Sequence, residues 1–137
     1  MRISHATLAR ARANAESRMT DTCRITRAAA TSTDPHTGLV STKTETVYEG
    51  PCKVQTAGGL ASESLEGSAQ QAMGAVSMIW MLYLHLPYGT RGLQANDLAT
   101  ITSSTDPDLP GRRYRLISPQ SEKTWNTAHR WNVKEDA

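Results

Sequence analysis

The stretch Val76-Ser-Met-Ile-Trp-Met-Leu-Tyr-Leu-His-Leu86 decides the fold, because it is the one long apolar run in the chain. With the two-residue period of a β-strand, every second position of this run is apolar. The alternate positions are mixed and include Tyr83 and His85. One apolar face and one mixed face are typical of a strand in the wall of a β-barrel or sandwich.

Shorter strand patterns flank this run on both sides. On the N-terminal side, alternation and a high content of Thr and Val predict strands over 22–27, 39–48 and 52–56, separated by a turn at 31–38 and a break at Gly50-Pro51. On the C-terminal side, the same signals predict strands over 96–102, 113–117 and about 124–133, the last with Trp125, Thr127, His129 and Trp131 in one register. We therefore expect a mainly β fold, a small barrel or sandwich of about six to eight antiparallel strands.

A helix is predicted over residues 4–18. Alanine dominates this segment, Ser4 is a suitable N-cap, and neither Gly nor Pro interrupts it. Its large apolar residues are few, so it buries only a narrow stripe and is expected to lie on the β-domain or to dock on another protein.

Length and composition indicate a single domain over 1–137, with the β-domain formed by 20–56 and 76–135. Hydrophobic residues make up 38% of the chain and Phe is absent, and the mean hydropathy is −0.49. So few large apolar side chains form a thin core, which predicts that packing against other subunits adds stability.

Residues 57–75 are predicted to form an extended loop inserted between two strands. The segment contains four glycines, at 58, 59, 67 and 74, few large apolar residues, and no Lys or Arg. A connection of this length within a small domain is commonly functional. A merely flexible connection fits the same composition.

The formal net charge of +2 is unevenly distributed. Basic blocks lie at 1–27 and 111–134, and the middle of the chain is neutral to acidic. Such blocks fit contact with nucleic acid or an acidic partner surface, and they also fit ordinary solvated faces.

The sequence contains no pattern typical of catalysis, of a metal site or of a cofactor site. Its four histidines are scattered, and Cys23 and Cys52 form no metal-binding or redox motif. Asp106-Pro-Asp108 fits a plain turn better than a cation site. We expect a non-enzyme without cofactor or membrane span, with both cysteines reduced and buried, although a disulfide is possible if their strands pair.

Four segments carry a resemblance to a known family: Met19-Thr-Asp-Thr-Cys-Arg-Ile-Thr-Arg27, Val47-Tyr-Glu-Gly-Pro-Cys-Lys-Val-Gln55, Leu84-His-Leu-Pro87 and Asp106-Pro-Asp-Leu-Pro-Gly-Arg-Arg-Tyr-Arg115. In this order they resemble the small head–tail connector proteins of tailed bacteriophages and prophages with actinobacterial hosts. Within that group the chain most resembles the head-closure or stopper protein of long-tailed phages. The resemblance spans about residues 4–118.

The resemblance implies a virion protein of the phage neck that assembles as a ring of twelve or six copies. Portal and adaptor proteins would lie above the ring, tail-completion or tail-tube proteins below it, and packaged double-stranded DNA in its channel. The 57–75 loop would enter the channel or contact a neighbouring subunit, through Gly58, Gly59, Leu60, Glu63, Leu65, Glu66 and Gly67. The basic residues expected at subunit interfaces are Arg10, Arg12, Arg18, Arg112, Arg113 and Arg115.

Two alternatives remain open from the sequence. The first is another neck component, either the adaptor, which would be largely helical, or the tail-completion or terminator protein, in which helices would lie between strands. The second is an oligonucleotide-binding barrel, in which the arginines of 112–115 would hold phosphates and Trp125 and Trp131 would stack on bases. Alternation places Tyr114 opposite Arg113 and Arg115, so the aromatic residues are expected in the core.

Overall fold

The computed structural model describes residues 3–60, 78–120 and 123–136. These residues form α1 (His5–Ser17), β1 (Asp21–Thr33), β2 (Val40–Leu60), β3 (Met78–Pro87), β4 (Leu98–Ser103), β5 (Arg113–Pro119) and β6 (Ala128–Glu135). The strands close into an antiparallel barrel in the order β1-β2-β3-β6-β5-β4. The predicted mainly β fold, with an N-terminal helix and an insertion between β2 and β3, is confirmed.

The barrel interior is filled by alternate side chains of every strand. On β3, Leu84 and Leu86 are fully buried, whereas Met81 on the other face is exposed, as the period of two predicts. The side chain of Trp80 lies outside the described residues. The buried core consists of Cys23, Ile25, Cys52, Leu84, Leu86, Ala99, Ile101, Tyr114, Leu116 and Val133.

Both cysteines are buried free thiols, as predicted. They lie on the neighbouring strands β1 and β2, where Cys23 is opposite Gly50 and Cys52 is opposite Asp21. A hydrogen bond with the Cys23 thiol, together with burial, raises the pKa of Cys52. The Cys52 thiol therefore stays protonated and behaves as a small hydrophobic side chain.

Strand β2 is longer than predicted, and the expected break at Gly50-Pro51 is wrong. The strand runs without interruption from Val40 to Leu60. Its pairing with β1 ends at Cys52 and its pairing with β3 begins at Lys53. Pro51 thus lies where β2 exchanges one neighbour for the other, a position that tolerates the missing N–H of proline.

Gly50, next to this exchange of partners, leaves room for the side chain of Tyr48, which folds back over the strand. The Tyr48 hydroxyl donates a 2.6 Å hydrogen bond to the carbonyl of Pro51. A Cβ atom on residue 50 would lie 3.0 Å from that hydroxyl oxygen. Glycine therefore serves close packing at this position and does not mark the end of a strand.

The predicted loop over 57–75 is also wrong at its start. Ala57 to Leu60 continue β2 and pair with Met81 to Met78 of β3, so Gly58 and Gly59 lie within a β-ladder. The pairing partner overrides the weak strand propensity of glycine. The remainder of the predicted loop, 61–75, lies outside the described residues.

The last strand begins later than predicted, at Ala128 and not near 124. Residues 124–127 form a turn, and Trp125 in this turn is 53% exposed. The expectation that Trp125 belongs to the core is therefore wrong. Trp131, which follows within β6, is partly buried and packs against the core.

Helix α1 lies on the outside of the barrel, against β3 and β6. Ser4 is its N-cap, with the side-chain oxygen accepting a 3.1 Å hydrogen bond from the Thr7 amide. Leu8 within the helix and Met19 just after it are its buried anchors. The Arg12 Nε atom donates a 3.0 Å hydrogen bond to the carbonyl of Asn126, which attaches the helix to the segment before β6.

A buried ion pair fixes the loop between β3 and β4 to strand β1. Asp97 is 1% exposed, and its two carboxylate oxygens accept 2.8 Å hydrogen bonds from Arg27. The amide of Gln94 donates a third, also 2.8 Å long. Burial acts to raise the pKa of Asp97, but these hydrogen bonds outweigh it and hold the pKa below its usual value.

Candidate functional site

Three basic side chains stand side by side on the outer face of the barrel wall. Lys53 on β2 is opposite His85 on β3, and His85 is opposite Arg130 on β6. Directly opposed residues in a sheet have Cβ atoms about 5 Å apart, so a charge on His85 would be repelled from both sides. We call Lys53, His85 and Arg130 the basic row.

The end of α1 lies over the basic row and encloses a cavity. The cavity measures about 270 Å³ and is lined by all three residues of the row together with Arg18 and Met19 at the end of the helix. Arg18 is the C-cap residue of α1. The helix thereby contributes a fourth basic side chain.

Two further cavities continue from the basic row away from the helix. One measures about 350 Å³ and is lined by His85, Arg130, Tyr83 and Lys123 among others. The other measures about 360 Å³ and is lined by Arg130, Lys123 and Arg91 among others. Because Arg130 borders all three cavities, they form one continuous surface. We call it the basic groove and define it by Arg18, Lys53, Tyr83, His85, Arg91, Lys123 and Arg130.

The basic groove has no compensating negative charge within the part of the chain that the structure describes. No Asp or Glu of residues 3–60, 78–120 and 123–136 lines any of its three cavities. Four ion pairs connect described residues, and none of them includes a groove residue: Arg24–Glu49, Arg27–Asp97, Arg112–Glu135 and Arg115–Asp136. Within the described ranges, the positive charge of the groove is thus not neutralised by a carboxylate.

This environment strongly changes the pKa of the His85 imidazole. Burial, followed by the positive charges of Lys53 and Arg130, lowers the pKa of His85 to about 4. His85 is therefore neutral at physiological pH, and this avoids a third charge within the row. It can still donate one hydrogen bond and accept another.

An aromatic stack borders one end of the groove. The Tyr88 ring stacks on His129 with centroids 5.4 Å apart, and the Arg12 guanidinium lies 3.4 Å from the centroid of the Tyr88 ring. Arg91 is hydrogen-bonded to His129. Burial first, and then the charge of Arg91, lowers the pKa of His129. The stack holds the helix and the loop after β3 against the strands.

A second feature is a hairpin that projects beyond the barrel. Residues 28–46, which we call the β1–β2 arm, are exposed at every position. Strand β4 pairs with β1 only as far as Thr26, and β3 pairs with β2 only from Lys53 onward. The arm is thus a two-stranded ribbon with both faces in solvent, a structure that is marginal by itself.

The tip of the arm presents apolar side chains on a well-ordered turn. Leu39 is 70% exposed and Val40 is 66% exposed. The Asp34 carboxylate accepts a 2.8 Å hydrogen bond from the His36 amide, and Gly38 adopts a φ of 73° that favours glycine. Large apolar residues held at such a tip are typical of a surface that contacts a partner.

The structure separates the predicted interface arginines into different groups. Arg12 is used within the fold against Asn126 and Tyr88. Arg112 and Arg115 form the ion pairs given above, and Arg113 is exposed on β5. Of the six, Arg18 alone borders the basic groove, and Arg10 is exposed on the helix.

The predicted loop residues are divided between the described and the undescribed parts of the chain. Gly58, Gly59 and Leu60 belong to β2. Glu63, Leu65, Glu66 and Gly67 lie outside the described residues. The hypothesis of a channel or inter-subunit loop therefore stays a prediction.

Sequence reasoning placed Arg18, Lys123 and Arg130 in the basic blocks 1–27 and 111–134, but it missed Lys53 and Arg91 and the groove that these residues form. One signal was present, because Lys53 and His85 occupy outward positions of predicted strands. Their alignment with Arg130 depends on the register between β2, β3 and β6. A single sequence does not give that register.

The remaining chemistry of the described residues is sparse. No group of three or more His, Cys, Asp or Glu side chains within 3–60, 78–120 and 123–136 is arranged to hold a metal ion. The Asp106 carboxylate accepts a 3.0 Å hydrogen bond from the Asp108 amide, as a turn requires. Among the same residues, no helix is long and apolar enough to cross a membrane.

Comparison with known protein families assigns the chain to one of them. The model of a family of unknown function, DUF6093, matches residues 11–134. The chain therefore belongs to this family, whose description assigns no activity. No curated protein matches the chain.

One solved structure is similar in fold. It is the solution structure of protein SF1141 from Shigella flexneri 2a, with a TM-score of 0.53 and 18% sequence identity. The match covers 88% of this chain and 95% of that protein. At this identity the likeness concerns the fold alone.

Proposed function

We propose that the chain is a structural protein of the tailed-phage neck, a head-to-tail stopper. In this role it forms a ring under the portal and adaptor, retains packaged DNA and provides the surface to which the tail attaches. The ring belongs to the virion and assembles in the host cytoplasm. The sequence resemblance motivates the proposal, and the exposed β1–β2 arm is the structural observation that supports it best.

The arm supports an assembly role because its uncovered strand edges and apolar tip are unfavourable in a free subunit. It has no strand partner along its outer edges among the described residues, and it exposes Leu39 and Val40 at its tip. Exposed strand edges pair readily with other chains unless they are covered. In a ring, a neighbouring subunit covers the arm and compensates for the thin core.

Ring closure needs two different surfaces on each subunit. The arm, which carries few charges, and the wall of the barrel with its basic groove differ in shape and chemistry. Contacts between unlike surfaces generate a closed ring when the rotation between subunits is a whole fraction of a turn. A ring of twelve or six copies would use such a pair of surfaces.

The alternative neck components fit less well. An adaptor is expected to be largely helical, whereas the described residues contain one helix and six strands. A tail-completion protein with helices between strands would also differ, because α1 precedes all six strands. The stopper is therefore the neck position that we favour.

Removal of the gene from the phage that encodes it tests the proposal. We expect electron microscopy of the lysate to show separate heads and tails, and we expect the number of infectious particles to collapse. Wild-type protein supplied in trans restores joined virions. Virions that remain joined and infectious without the gene would contradict the proposal.

Substitutions at the arm tip test the structural observation. We expect the double variant Leu39→Ser, Val40→Ser to fold normally but to fail in the same complementation assay. The matched control is Ile117→Ser, which removes an apolar side chain that is 51% exposed on β5. Equal complementation by both variants would exclude the arm tip as an assembly surface.

A further inference from the structure

The basic groove concentrates cations that have no carboxylate partner among the described residues. Lys53 and Arg130 flank a neutral His85 in one cross-strand row, and Arg18, Arg91 and Lys123 extend the row at both ends. The chain as a whole carries a net charge of only +2. Five cations along one groove are therefore a local concentration of positive charge, which attracts an anion.

The succession of three cavities, each lined by cations, indicates a ligand with several anionic groups. The three cavities measure about 270, 350 and 360 Å³ and share Arg130. A single phosphate would contact one or two of the cations and leave the others uncompensated. A chain of phosphates contacts them in succession.

Aromatic and amide side chains lie directly beside the basic row. A second cross-strand row lies two residues along each strand, on the same face of the sheet. In this row Gln55 on β2 is opposite Tyr83 on β3, and Tyr83 is opposite Asn132 on β6. The partly buried Tyr83 lines the central cavity together with Lys123. A base can stack on a tyrosine ring while the phosphates that flank it meet Lys and Arg.

We infer that the basic groove binds single-stranded nucleic acid, with its phosphodiester backbone along Lys53, Arg130 and Lys123 and a base on Tyr83. We expect the helix to exclude a duplex, because the end of α1 lies over the row and leaves His85 only 9% exposed. A single strand is narrower and can follow the cavities. Tyr83 favours a nucleic acid over an acidic peptide, because it can stack on a base.

Fluorescence anisotropy with a labelled oligodeoxythymidylate of about 20 nucleotides tests this inference on the purified full chain. We expect binding that weakens steeply between about 50 and 200 mM salt. Arg130→Glu and Lys123→Glu should each weaken binding about tenfold, and the uncharged variants Arg130→Gln and Lys123→Gln should each reduce the slope of log K against log salt by about one. Tyr83→Leu should weaken binding about fivefold.

The matched control is Arg113→Glu, which reverses an exposed arginine on β5 outside the groove. It should change the affinity by less than about twofold. Circular dichroism establishes that each variant is folded, and the uncharged pair keeps the test valid if a charge reversal prevents folding. No salt-dependent binding, an equal loss with Arg113→Glu, or binding of a duplex as tight as that of the single strand would overturn the inference.

This test is independent of the ring proposal. It uses the free chain, and its readout is the affinity for an oligonucleotide. The phage complementation assay instead reads assembly. A chain that joins heads to tails but does not bind the oligonucleotide would overturn this inference alone.

Discussion

Two sets of basic residues on this barrel have opposite relations to their surroundings. Arg24, Arg27, Arg112 and Arg115 each have a carboxylate partner, at 2.9, 2.8, 3.9 and 2.8 Å respectively. The residues of the basic groove have none among the described residues. The first set connects strands and loops, whereas the second leaves positive charge at the surface.

The difference teaches that charge counts alone do not locate a binding surface. The arginines of 112–115 are prominent in the sequence, yet two of them belong to ion pairs. Lys53, Lys123 and Arg130 are scattered in the sequence and adjacent in space. Only a cation without a partner adds to the field that an external anion meets.

The largest effect should come from the buried pair of the first set. Asp97→Asn leaves Arg27 without its carboxylate in a site where Asp97 is 1% exposed, and we expect a loss of about 3 kcal/mol in the free energy of unfolding. Urea denaturation at pH 7 measures it. A loss as small as that of a surface substitution would show that the pair does not fix the loop.

The second prediction concerns pH and the basic row. The pKa of His85 is about 4 in the folded chain and about 6.5 when unfolded, so the unfolded state binds the extra proton first as the pH falls. The free energy of unfolding should therefore decrease as the pH is lowered from about 6.5 to about 4. We expect His85→Gln to flatten this part of the stability curve relative to wild type, as measured by thermal unfolding against pH.

A smaller effect of opposite sign is expected from Lys53→Gln. Lys53 lies two strands from Arg130, so removal of its charge relieves a weak, partly screened repulsion and should stabilise the free protein by less than about 0.5 kcal/mol. The same change should raise the pKa of His85, which NMR titration of the imidazole measures. If Lys53→Gln destabilises the protein, Lys53 has a partner in the fold and the contrast between the two sets fails at this residue.

The smallest effect should come from the exposed pair of the first set. Arg24 and Glu49 have side chains that are 52% and 53% exposed, so solvent screens their interaction. Arg24→Gln should leave the thermal unfolding midpoint unchanged within experimental error. A clear drop in the unfolding midpoint would show that even exposed ion pairs stabilise this barrel. Arg24 would then contribute to stability as Arg27 does.

Much of the fold could be predicted because its signals are local. Ser4 before an alanine-rich run indicates the helix start, and the alternation at 82–86 gives the buried face of β3. Of the turn predicted at 31–38, the part from Asp34 to Gly38 forms a turn, whereas 31–33 belong to β1. Each of these depends on neighbours within a few residues. These locally encoded features therefore agree with the structure.

The rest depended on pairing between distant segments. Gly50-Pro51 looks like a break until β1 and β3 are both placed beside β2. Gly58 and Gly59 look like a loop until β3 pairs with them. The basic row likewise exists only through the register of three strands, and the partners of Arg112 and Arg115 come from after residue 134. No single segment contains this information.

The most direct test of the central proposal is a density map of the neck in virions of the phage that encodes the chain. We predict a ring of closed six-stranded barrels between the portal–adaptor assembly and the tail, with residues 28–46 of each copy in contact with an adjacent subunit. A neck whose rings contain no such barrel would contradict the account.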